Sequence, residues 1–176
     1  MEIEIRAKIK ESNAINLVNK LKDLNAIFSQ ESRQIDIYFK HVSDIDRNLI
    51  LRIRKTENGN QLTFKSKSKK HDTAWPDVDL ELNEPDELES ILKNNNYVEV
   101  VKIEKTRKTY MLNSFEINID LIKDLGYFVE IEGRGNEDDR KQIEQKIEEL
   151  LLKLGTSPTD IIKEGYVPLM IKSQTL

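Results

Sequence analysis

Glu2, Glu4, Arg6 and Lys8 take every second position of the opening stretch MEIEIRAKIK, and Ile3, Ile5, Ala7 and Ile9 fill the positions between. A period of two belongs to a half-buried strand, so the four charges share one face. Residues i and i+2 on a strand stand about 7 Å apart. Two carboxylates so placed repel, and a sheet gains nothing from them. The pairing makes sense where a cation lies between. Oxygen-only ligands of this kind suit a hard divalent ion, Mg²⁺ or Mn²⁺.

The same habit recurs along the chain. Polar faces carry Gln34, Asp36 and Tyr38; Arg52 and Arg54; Thr63 and Lys65; Asp77, Asp79 and Glu81; Lys105 and Arg107; Asn118 and Asp120; and Glu130, Glu132 and Arg134. Antiparallel sheets often keep one face in water, but such a face mixes its signs. Here basic and acidic pairs are segregated by strand, and arginine stands where planar oxyanion recognition would use it. If this face turns inward, a polyanion relieves the cations and a divalent metal relieves the carboxylates. A metal-bearing polyphosphate meets both demands.

The elements that must position these residues are legible from periodicity. SNAINLVNKLKDLNA has helical spacing with Ser12 or Asn13 as its cap, and NEDDRKQIEQKIEELLLKLG reads as a second amphipathic helix. EPDELESILKNN reads as a short helix with Pro85 in its first turn, and SPTDIIKEGY as another with Pro158 at N1. Strands are expected over RQIDIYF, LILRIRKT, QLTFKSK, DVDLELN, YVEVVKIEKTRKTYML, FEINIDLI and YFVEIEGRG, with Asn58-Gly59 as a hairpin turn. About eight strands and three or four helices, with strands close enough to pair as hairpins, make an α+β fold on an antiparallel sheet.

The composition narrows the function classes. At 176 residues, without a repeat or a Pro/Gly/Ser-rich linker, a single domain over 1–176 is expected. A net charge of −4 speaks against a general nucleic-acid binder. There is no cysteine, so disulfides, thiolate metal sites and cysteine nucleophiles are excluded. No apolar run reaches the ~20 residues of a membrane span, and a cytoplasmic protein is expected. Walker A, G-x-G-x-x-G, H-E-x-x-H and G-x-S-x-G motifs are missing.

EIEIRAK resembles the E-x-E-x-K signature of the CYTH superfamily, the triphosphate tunnel metalloenzymes. The resemblance continues in order through RQIDIYF, LRIR, LTFK, KIEKTRKTY, INIDLIKDLGYFVEIEG and LGTSPTDIIKEGYVPLM. It implies a closed antiparallel eight-stranded β-barrel with a charged interior and helices outside. By that resemblance Glu2, Glu4, Glu130 and Glu132 would serve the metal, with Asp120 close by. Arg52, Arg54, Lys65, Lys105 and Arg107 would grip the phosphates, joined by Arg6 and Lys8. Arg6 departs from the lysine of the signature, and a forked guanidinium is not an equivalent donor. DVDLELN lacks the basic residue expected just before it.

The layout is most similar to the class IV adenylyl cyclase-like branch, which implies conversion of ATP to cyclic AMP and pyrophosphate. Hydrolysis of tripolyphosphate or thiamine triphosphate would use the same apparatus, and composition does not choose between them. A non-catalytic polyphosphate- or nucleotide-binding module is the reading from another class; carboxylates beside the ligand would give it little. A homodimer is an assembly that the resemblance allows. His41 and His71 are expected in solvent, Trp75 as a packed loop residue, the run 65–70 as a solvated loop, and Tyr166 and Leu169 as packing on the barrel exterior.

Overall fold

The computed structural model describes residues 2–45, 49–66, 77–162 and 164–174. His71, Trp75 and most of the 65–70 run lie outside them. Strands β1 (Glu2–Ile9), β2 (Ile27–His41), β3 (Leu49–Thr56), β4 (Gly59–Ser66), β5 (Asp77–Leu82), β6 (Tyr97–Leu112), β7 (Phe115–Ile122), β8 (Gly126–Arg134) and β9 (Ile161–Ile162) are joined by four α-helices. These are α1 (Glu11–Asp23), α2 (Pro85–Asn94), α3 (Arg140–Lys153) and α4 (Tyr166–Gln174). None of these helices is long and apolar enough to cross a membrane.

The expected closed barrel is not what forms. Hydrogen-bonded neighbours run β5-β4-β3-β2-β6-β7-β8-β1-β9, a nine-stranded sheet with β5 and β9 as its two ends. A ninth strand is part of the difference. Ile161 and Ile162 pair with Ala7 and Arg6, so this part of the outer edge of β1 is taken by β9 and not by another long strand. Sequence periodicity places this pair inside a short helix. Only a 3₁₀ turn forms, over Pro158–Asp160, with Ser157 and Asp160 as a reciprocal capping box. Two β-branched residues then favour the extended edge.

The chain divides into two compact units: residues 1–32 with 105–176, and residues 33–104. In the first, the apolar parity of the strands supplies Ile3, Ile5, Ala7, Tyr110, Ile117, Ile119, Val129 and Ile131. Leu17 and Leu21 of α1 and Ile147, Leu150, Leu151 and Leu154 at α3 cover them. Full burial of one such side chain stabilises by roughly 1.5–3 kcal/mol. In the second unit Ile37, Phe39, Leu51 and Ile53 pack with Leu92 of α2. The β3–β4 hairpin turns one residue earlier than Asn58-Gly59 suggests: Thr56 pairs with Gly59, which opens β4 at φ +139°.

The candidate phosphate and metal site

Since the apolar parity of β1, β6, β7 and β8 faces α1 and α3, the other parity gathers the charges of the first unit. Register sets them in rows. Glu116, Glu132 and Glu4 stand side by side on β7, β8 and β1. In the next row Thr109, Asn118, Glu130 and Arg6 are neighbours, and in the one after, Arg107, Asp120, Phe128 and Lys8.

The second and third rows are knitted together. Arg107 forks onto Asp120, Nε to Oδ1 at 2.7 Å and Nη2 to Oδ2 at 2.6 Å. Its Nη2 also donates to Glu130 Oε1 at 2.8 Å, while Arg6 Nε donates to Glu130 Oε2 at 2.9 Å. Arg6 reaches Glu4 as well, at 2.6 Å. Arg6, Asp120 and Glu130 are each under 4% exposed, so these charges have left water and need one another. Burial pulls against the charged form of Glu130, but Arg6, Arg107 and Lys105 outweigh it and hold its carboxyl far below the usual range. Burial likewise opposes the charge on Arg6, and Glu4 and Glu130 override it.

The acidic row is the opposite case. Burial, then the charges of Glu2, Glu116, Glu130 and Glu4, push the Glu132 carboxyl up to about 8. Arg134 sits 3.8 Å from Glu132 and donates to Glu2 at 3.0 Å, yet its side chain is largely exposed and offers screened compensation only. Asn118 donates to Glu116 at 2.9 Å. The row holds more negative charge than its protein neighbours balance.

The second unit has its own polar parity. Arg54 forks onto Asp36 at 2.6 and 2.7 Å. Arg52 donates to Thr63 Oγ1 from Nη2 at 2.7 Å, and that hydroxyl donates to Asp79. Lys65 is half-buried. Tyr38, buried between these groups, has its phenol pushed up by burial and by Asp36.

The CYTH domain family profile matches residues 1–166. The chain belongs to the CYTH family. A relative from Methanocaldococcus jannaschii, whose name proposes an adenylate cyclase, is 29% identical over 176 residues, covering 96% of this chain and 98% of the relative. Among solved structures, a conserved hypothetical protein from Pyrococcus furiosus is 26% identical with a TM-score of 0.83 over 96% of this chain and 99% of its own. A protein from Hippeastrum, described as a proposed adenylyl cyclase with a dominant triphosphatase activity, shares the fold at 17% identity, with a TM-score of 0.64 over 90% of this chain and 92% of its own.

CYTH proteins in general act on triphosphates and depend on a divalent metal. The donor chemistry of this CYTH chain fits such an ion: the acidic row is all oxygen, and burial together with the neighbouring carboxylates raises Glu132. Among the described residues no three carboxylate or histidine side chains already converge as a coordination shell.

Of the residues singled out from the sequence, the first unit brings Glu4, Arg6, Lys105, Arg107, Asp120, Glu130 and Glu132 into the polar cluster, with Glu2 beside Arg134. Lys8 is exposed, its ammonium 5.9 Å from the Phe128 ring centre. Arg52, Arg54 and Lys65 belong to the second unit. Sequence reasoning misses two residues. Glu116 shares parity with Asn118 and Asp120 in FEINIDLI and could have been found there. Tyr166, expected on an exterior surface, is instead buried in the cluster, its hydroxyl donating to Asp120 Oδ2 at 2.9 Å. It lies on α4, outside any strand alternation, so no periodic signal marks it.

Proposed function

We propose that this CYTH protein is a divalent-metal-dependent enzyme of triphosphates, first an adenylyl cyclase that converts ATP to cyclic AMP and pyrophosphate. The observation that carries it is the acidic row Glu116, Glu132 and Glu4 lying one register step from Glu130 and Arg6. Cation-seeking and anion-seeking groups are thus adjacent on one face. Glu2, Glu4 and Glu132 would hold the Mg²⁺ or Mn²⁺ ion, with Asp120 and Glu130 completing the acidic set. When bound, the ion supplies charge neutralisation and polarisation at the reacting phosphorus.

Phosphoryl and nucleotidyl transfer ask the protein mainly for alignment and charge. Lys105 and Arg107 take phosphate oxygens, as do Arg6 and Lys8. Asp120 and Glu130 also aim the guanidinium groups, since both are already engaged by Arg107 and Glu130 by Arg6 as well. In cyclisation the ribose 3′-OH attacks the α-phosphorus, its proton is lost, and pyrophosphate leaves. Hydrolysis is the second reading, favoured by the dominant triphosphatase activity ascribed to the Hippeastrum protein. Water then attacks the terminal phosphorus and orthophosphate leaves.

Incubation with ATP, tripolyphosphate and thiamine triphosphate in each metal, with products separated by chromatography, tests the proposal. Cyclic AMP with pyrophosphate is expected. Orthophosphate without cyclic nucleotide selects the triphosphatase, and binding by calorimetry without turnover selects a non-catalytic module. Binding of none of the three with either metal overturns the reading.

A further inference from the structure

The hydrogen bonds of the arginine cluster form a chain that starts and ends in the same three residues. Tyr166 donates to Asp120, Asp120 accepts the fork of Arg107, Arg107 reaches Glu130, and Glu130 accepts from Arg6. Arg6 Nη1 then donates to the backbone carbonyl of Glu164. The segment 164–166 therefore grips both arginines, one through a carbonyl and the other through a carboxylate.

The ring of Tyr166 adds a second grip. The Arg6 guanidinium lies 4.8 Å and the Lys105 ammonium 5.3 Å from its centroid, distances at which the ring face attracts a cation. Phe128 packs edge-to-face with this ring, their centroids 5.4 Å apart. Three basic groups of the first unit are thus positioned by one side chain. A tyrosine needed only to fill space would do none of this, and phenylalanine would serve as well.

Resting on the proposed triphosphate reading, we infer that Tyr166 is a positioning residue, which sets Arg107 through Asp120 and sets Arg6 and Lys105 through its ring. Arginine recognises phosphate by a fixed planar fork, so a loosened guanidinium loses more than an equally loosened ammonium would.

The experiment is calorimetric binding of tripolyphosphate with Mg²⁺ to wild type, Tyr166→Phe and Tyr166→Leu, each well below its own unfolding midpoint so that all are fully folded. Tyr166→Phe, which keeps the ring and loses the hydroxyl, is expected to bind about tenfold more weakly, the scale of one hydrogen bond to a charged group. Tyr166→Leu is expected to bind more weakly again. A lowered melting temperature with wild-type affinity in both variants would show that Tyr166 is structural only and overturn the inference. Failure of wild type itself to bind would instead sink the triphosphate reading, so the two outcomes are separable.

Discussion

Glu4 and Glu132 stand directly opposite one another across β1 and β8. Cross-strand neighbours at such positions have Cβ atoms about 5 Å apart, where like charges destabilise the pair. Glu116 flanks Glu132 from the other side. Three carboxylates in a row settle this repulsion by keeping a proton or by taking a cation.

The proton makes stability depend on pH with a definite sign. The Glu132 carboxyl rises from 4.5 in the unfolded chain to about 8 in the folded one, so the folded state holds the extra proton between those values. The associated stability is complete below about 4.5 and is lost as pH rises through about 8. Glu130, shifted downward, is ionised in the folded state throughout that window, and its own slope is confined to pH values near and below its unfolded value. Metal-free wild type should therefore lose melting temperature from pH 5 to 8.5, and Glu132→Gln should lose less. Equal slopes in the two proteins would contradict the protonated row.

Metal should compete with that proton. Mg²⁺ or Mn²⁺ is expected to raise the melting temperature of wild type, and more at pH 8.5 than at pH 6. In Glu4→Gln the rise should shrink at both values. A pH-independent rise, or one unchanged in Glu4→Gln, would remove the acidic row from the metal site.

Glu4→Gln and Glu132→Gln should each abolish turnover with little change in far-ultraviolet circular dichroism. Glutamine keeps the volume of glutamate and, at position 132, resembles the protonated acid that the fold already accommodates. Turnover at the wild-type rate in either variant would refute its role as a ligand.

Arg107→Ala leaves Asp120 and Glu130 buried without the guanidinium that joins them. Breaking a buried pair from one side costs about 3–5 kcal/mol, to be read from urea unfolding. Arg134, itself largely exposed beside a half-buried Glu2, should cost about 1 kcal/mol or less when truncated. Similar losses for the two would mean that burial does not set the value of the Arg107 pair.

Gly133 marks how closely α3 approaches the sheet. A methyl group there would stand 2.8 Å from Ile143 Cγ2 and 2.9 Å from Phe115 Cε1. Gly133→Ala should destabilise by about 1–3 kcal/mol through overpacking. Pairing it with Ile143→Ala, which removes the first of these clashes, should cost less than the sum of the single changes. Strict additivity would contradict the clash.

Strand parity was already written in the order of the amino acids. Alternation has a period of two whatever the partner strand, so Glu2, Glu4, Arg6, Asp120, Glu130 and Glu132 could be assigned to polar faces, and Ile3, Ile5 and Ile131 to the core, before any pairing was known. The ordered motifs carried the family in the same way. The remainder waited for the folded chain, because it depends on which strands become neighbours. Register put Glu116 beside Glu132 and turned a like-charge pair into a row. Ile161 and Ile162 took the edge of β1 at Ala7 and Arg6, where no local period places a strand. Tyr166 reached Asp120 from 46 residues away, a contact made by chain return and so without a local period to announce it.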